Sequence, residues 1–196
     1  MESSKLRNDL AELLKSSYLP QEQASKNLAS LGYKRDPELS TMQTKVFVNE
    51  LTDEPVIIHR GSTTVQDWID DAKIAVGLGK TTQRLKNARE ITRKVEEKYK
   101  KPADSIGHSY GGYIAENTGA KGKIITYNKA GGLSDIGTKK NSGRQLDIFA
   151  SGDVVSQIAQ KSQSSNKQYV KNKRSSILKP IPLKALEAHS VENLFY

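Results

Sequence analysis

The chain of 196 residues has no cysteine, one tryptophan, two methionines, six prolines and only three histidines. Without cysteine, disulfides and thiolate metal sites are excluded, so burial of apolar side chains must hold the fold together. No apolar run approaches the length of about 18 residues that marks a membrane span. The first residues, Met1-Glu2-Ser3-Ser4-Lys5, lead into an amphipathic pattern and not into the apolar core of a signal peptide. Aromatic residues make up 6% of the chain and do not interleave with basic ones as a base-stacking surface requires, so no specific nucleic-acid partner is expected.

What is present fits a globular protein. Hydrophobic residues are 35% and charged residues 27%, clustered in strand-like and helix-like runs, and the length suits one domain over residues 1–196 with a central sheet covered by helices. The formal charge of +9 grows toward the C-terminus: residues 1–50 carry seven basic and seven acidic side chains, residues 151–196 seven and three. Such an excess is ordinarily a solvated face, although it also suits transient contact with an anionic membrane surface.

Leu6, Leu10, Leu13 and Leu14 recur at helical spacing, and beyond Pro20 a second pattern runs through Ala24, Leu28 and Leu31 to Gly32. Two short helices are predicted, packed within residues 1–40. Val46-Phe47-Val48 and Val56-Ile57-Ile58, separated by Thr52-Asp53-Glu54-Pro55, predict a β-hairpin. Thr64 is placed to cap a helix carrying Val65, Trp68, Ile69, Ala72 and Val76, and Leu85 to Tyr99 marks a longer helix ended by Pro102. Further strands are expected at 123–127 and 145–150. Residues 161–176, rich in Ser, Gln, Asn and Lys, read as a flexible basic loop. Strands separated by helices predict a mostly parallel central sheet in a three-layer α/β fold.

Within this frame lies Gly107-His108-Ser109-Tyr110-Gly111-Gly112. A G-x-S-x-G pentapeptide between a strand and a helix is the signature of a nucleophile elbow, which exposes a serine above the sheet and aims a helix N-terminus at the reacting centre. By itself the pattern arises by chance in roughly one chain in fifteen of this length. A serine nucleophile needs a base. His108 neighbours Ser109 in extended backbone, so its side chain leaves on the other face, and His59 reads as a packed, hydrogen-bonded residue. His189 falls late in the chain, where the Ser, Asp/Glu, His order places the base, against the plainer reading of a solvated surface histidine. Of the acids between them (Glu116, Asp135, Asp147, Asp153 and Glu187), Asp153 follows the end of a predicted strand, where catalytic groups of open α/β sheets gather. Tyr110 and Ser62 are the candidate oxyanion-hole donors, the first after the nucleophile, the second in the turn after Val56-Ile57-Ile58.

Together these residues resemble the class 3 lipases of the α/β-hydrolase fold. The likeness is carried by His59-Arg60-Gly61-Ser62 with Asp67-Trp68 and Asp71, by the elbow, by Ser151-Gly152-Asp153-Val154-Val155 and by Ala188-His189-Ser190. It covers about residues 45–195. Tyr110 stands where Leu is usual and Val154-Val155 where a proline is common. The short, cysteine-free chain is similar to compact virus-encoded members, and the lack of a signal-peptide or transmembrane pattern favours an intracellular or virion-associated location.

The resemblance implies a serine hydrolase acting on carboxylic esters, with a lipid or small ester as substrate and with no metal or organic cofactor. A thioesterase, acyltransferase or peptidase would use the same triad. A catalytically inactive binding protein of the same fold, with a basic membrane- or nucleic-acid-facing surface, is the alternative from another class.

Overall fold

The computed structural model describes residues 2–62, 82–131, 136–137, 143–153, 155–157, 159–161, 166–171 and 189–191. The helix expected from Thr64 to Val76, with Asp67, Trp68 and Asp71, lies outside the described residues.

Among the described residues, seven strands form one sheet whose spatial order follows the chain: β1 (Tyr33–Asp36), β2 (Thr44–Asn49), β3 (Pro55–His59), β4 (Asp104–His108), β5 (Ile124–Tyr127), β6 (Gln145–Ala150) and β7 (Lys167–Val170). The first three pair antiparallel, giving the expected hairpin with Val46 opposite Ile57, and β3 to β7 run parallel. The sheet is thus mostly parallel, as the alternating strand and helix patterns predicted. Register places His59 beside Gly107, and Tyr127 between His108 and Ile148, so β3, β4, β5 and β6 end at the same edge. In open α/β sheets that carboxyl edge is where ligands bind.

The two faces are covered by different helices because successive strand residues point to opposite sides. Phe47, Val56, Ile58, Ile106, Tyr127 and Ile148 pack with Leu10, Leu13 and Leu14 of α1 (Glu2–Ser16) and with Ala24 and Leu28 of α2 (Gln21–Ala29). Leu14 and Leu28 are fully buried, and each contributes roughly 1.5–3 kcal/mol by leaving water. On the opposite face Val46 and Ile57 meet Val95 of α3 (Gln83–Tyr99). Thr82 caps α3 by accepting the Leu85 N–H, and left-handed Lys100 ends it two residues before Pro102.

Both edge strands are corrections to the sequence reading. Tyr33–Asp36 was not expected as a strand, and Lys167–Val170 lies inside the 161–176 stretch read as a loop. Edge strands pair on one side only and carry Lys and Arg that blunt edge-to-edge association, so they lack the apolar run of a central strand. Tyr169 instead sets its ring 5.9 Å from Phe149 of β6.

Candidate active site

β4 delivers the chain to Ser109 and α4 (Tyr110–Asn117) carries it away. Ser109 has φ 57° and ψ −128°, a backbone that an L residue rarely adopts and the mark of the sharp elbow. The turn is pinned by its main chain: Ser109 N–H donates to the Tyr127 carbonyl at 3.0 Å, while the Ser109 carbonyl accepts from Gly112 at 2.9 Å and from Ala130 at 3.1 Å. The glycines are required by close approach. A Cβ on Gly107 would run into the Gly111 carbonyl, and one on Gly111 into the carbonyl of His59 on the adjacent strand.

The chain after β6 turns at Gly152 and buries Asp153 at 2% exposure. Asp153 Oδ1 lies 3.0 Å from Nδ1 of His189, itself 5% exposed. The structure therefore brings together the acid and the histidine chosen from the sequence. Ser62 follows β3 and lines a cleft of about 630 Å³ with His108, His189, Ser190 and Val191. The other wall is the N-terminal helix pair, through Glu12, Lys15, Tyr18, Leu19, Gln23 and Asn27. A Cβ built on Gly61 would stand 3.1 Å from that of Ser109, so the Arg60-Gly61-Ser62 turn lies directly against the elbow.

Tyr110 sits in the first turn of α4, where backbone N–H groups and the helix dipole attract developing negative charge. Its side chain turns away from the cleft. The hydroxyl is 3.0 Å from Thr82 Oγ1, the ring stacks on Tyr113, and the Arg84 guanidinium lies 4.9 Å above it. The unusual residue after the nucleophile thus joins α3 to α4. Arg84 also donates to the Arg60 carbonyl, tying α3 to the turn that carries Ser62.

The remaining histidines are accounted for. His59 is fully buried, with Nδ1 3.2 Å from Thr44 Oγ1 and Nε2 3.2 Å from Ser105 Oγ, and burial together with the Arg84 charge lowers its pKa to about 3. His108 lines the same cleft as Ser62 and His189 and does not simply fill space. Its ring stacks on Tyr127 and lies 4.8 Å from the ring of His189, and its nitrogens meet Tyr18 Oη and the His189 carbonyl.

Sequence reasoning missed two site contributors, Tyr18 and Lys129. Lys129 is buried with its Nζ 2.7 Å from Glu116 Oε2 and 2.8 Å from Asp147 Oδ2, and Asp147 also accepts from Thr126 and Gln145. Two of the acids set aside for catalysis thereby join α4 to β6 directly behind the elbow. Their signal was limited to two acids at strand and helix positions that offered them no solvent.

Among curated proteins none matches the sequence. A solved structure, the Lip2 lipase of Yarrowia lipolytica, is similar in fold with a TM-score of 0.55 at 15% identity, over 92% of this chain and 82% of that one. The α/β-hydrolase architecture of lipases is therefore the architecture of this protein. Neither that structure nor the family match extends to the compact virus-encoded type. Residues 15–173 match the family described as phospholipase-like, the Tle-like phospholipase domain, and so span the elbow, the Ser62 turn and Asp153. The protein belongs to that family of Tle-like phospholipase domains.

Proposed function

We propose that the protein hydrolyses carboxylic esters of acyl lipids, with Ser109 as nucleophile, His189 as general base and Asp153 as the residue that orients it. The observation that carries the reading is the 3.0 Å contact of Asp153 Oδ1 with His189 Nδ1, at the sheet edge where Ser109 occupies an elbow with positive φ. With its Nδ1–H donated to a carboxylate, the imidazole offers the Nε2 lone pair to a hydroxyl.

The chemistry then follows in two halves. Ser109 Oγ forms a bond to the ester carbonyl carbon as its proton passes to His189 Nε2. The tetrahedral oxyanion takes hydrogen bonds from the Tyr110 and Ser62 amides. Collapse breaks the bond to the alcohol oxygen, which leaves with the proton from His189, and the acid remains as the Ser109 ester. A water deprotonated by His189 attacks this ester, and the acid departs as Ser109 regains its proton. Asp153 holds the ring in place and stabilises the imidazolium.

A phospholipid substrate is supported by the family, and the net charge of +9 suits contact with anionic bilayers. Among the described residues no helix is long and apolar enough to cross a membrane. The test is a fluorophosphonate probe followed by a panel of phospholipids, simple esters, thioesters and amides. Labelling that disappears in Ser109→Ala and in His189→Ala, with phospholipid or ester turnover, is the expected result. Folded wild-type protein that takes no label is instead an idle binding protein, and turnover confined to thioesters or amides reassigns the acyl donor.

A further inference from the structure

Tyr18 lies between α1 and α2, outside every motif named so far, yet its hydroxyl sits where three segments of the site meet. The Gly61 N–H donates to Tyr18 Oη at 3.1 Å, and Tyr18 Oη lies 2.6 Å from His108 Nδ1. Across the ring, His108 Nε2 is 2.7 Å from the His189 carbonyl oxygen. The directions of these bonds are forced. A carbonyl only accepts, so Nε2 carries the ring proton. Burial, reinforced by neighbouring His189, holds His108 well below the usual histidine range and therefore neutral. Nδ1 is then a lone pair, and Tyr18 must donate to it. Burial also raises the Tyr18 phenol above its ordinary range, so the donated proton stays in place.

We propose that Tyr18 is a positioning residue of the hydrolytic site: one hydroxyl holds the oxyanion turn through the Gly61 amide and the main chain of His189 through His108. The proposal rests on the reading of Ser109 and His189 given above. It explains three otherwise separate features. Gly61 is glycine because a Cβ there would run into Tyr18 Oη. The Gly61 amide is committed to Tyr18, and the oxyanion role falls in the proposed mechanism to the next residue, cleft-lining Ser62. His108 must be neutral, because the imidazolium that forms on His189 stands 4.8 Å away and a second cation would oppose it. The N-terminal helix pair is accordingly part of the catalytic apparatus as well as of the core.

The experiment is Tyr18→Phe in the full chain, which keeps the ring and removes only the hydroxyl. The expected result is a fall of about 10- to 100-fold in kcat and in the rate of fluorophosphonate labelling, the size that small misplacements of reacting groups produce. KM should stay within about twofold, since the ring that lines the cleft is kept and the hydroxyl lost is engaged with Gly61 and His108. Imidazole 15N spectra should show the Nε2–H tautomer at His108 in wild type, with the Nδ1 resonance displaced in the variant. Combined with His108→Gln, the losses should be smaller than multiplicative, because both changes cut one chain of bonds. A folded Tyr18→Phe protein with wild-type kcat overturns the proposal, as do losses that multiply. Wild type that neither labels nor hydrolyses, with the His108 tautomer intact, refutes the hydrolase reading; labelled wild type with an unimpaired variant refutes the positioning role alone.

Discussion

His189 Nδ1 and Asp153 Oδ1 meet at 3.0 Å across 36 residues of chain, both side chains almost entirely removed from solvent. A buried carboxylate beside an imidazole fixes both the ring's orientation and which nitrogen bears the proton. Asp153→Asn keeps the shape and loses that control. We expect kcat to fall on the order of 10³- to 10⁴-fold, with the urea midpoint little changed. Steady-state hydrolysis of a soluble ester checks the first part, and equilibrium unfolding the second. A variant with near wild-type kcat would remove Asp153 from the mechanism.

Lys129 between Glu116 and Asp147 is a second buried charge arrangement, and its worth lies in being complete. Lys129→Met leaves two carboxylates buried without their cation and should cost about 3–5 kcal/mol. Adding Glu116→Gln and Asp147→Asn should return most of that loss. Urea unfolding of the single and triple variants measures both, and a triple variant no more stable than the single one would contradict the account.

Gly111 faces the His59 carbonyl across a gap too small for a methyl group. Backbone cannot yield as a flexible side chain does, so Gly111→Ala should destabilise by about 1–3 kcal/mol or more. The elbow should shift with it. Thermal unfolding together with the labelling rate of Ser109 tests this, and an unchanged melting temperature would show that β3 and α4 stand farther apart than described.

Stability should depend on acid through the two neutral histidines of the interior. Burial, with the Arg84 charge, lowers His59 from 6.5 to about 3, and burial with His189 lowers His108 in the same direction. The unfolded chain binds these protons more readily than the folded one. Their contribution is therefore fully present above the unfolded value of 6.5 and declines as pH falls toward 3. Each histidine accounts for up to about 1.4 kcal/mol per pH unit in that window. Urea midpoints at pH 7 and pH 5 should show the decline, with a shallower slope in His59→Gln. A stability flat between those pH values would mean that neither ring is kept neutral.

The central strands, the first two helices and α3 were legible because burial leaves a periodic trace. Val56 and Ile58 face one layer and Ile57 the other, and Leu10, Leu13 and Leu14 repeat at helical spacing. The edge strands left no such trace, since Tyr33–Asp36 and Lys167–Val170 are held by backbone bonds that hydropathy does not record. Tyr110 was legible as unusual but not as to purpose. Its ring serves the contact of α3 with α4, which depends on where Thr82, Arg84 and Tyr113 arrive.

The amino-acid sequence alone determined the elbow, because only glycine tolerates the backbone contacts made at Gly107 and Gly111, and it narrowed the base and its acid to His189 and Asp153. Tertiary structure decided how these groups are held. The bonds from Tyr18 to His108 and from His108 to His189 close gaps of 90 and 81 residues. Contacts of that range are set by strand register and by the seating of α1 and α2 on the sheet, and a one-residue slip in either would dissolve them while leaving every motif in the sequence intact.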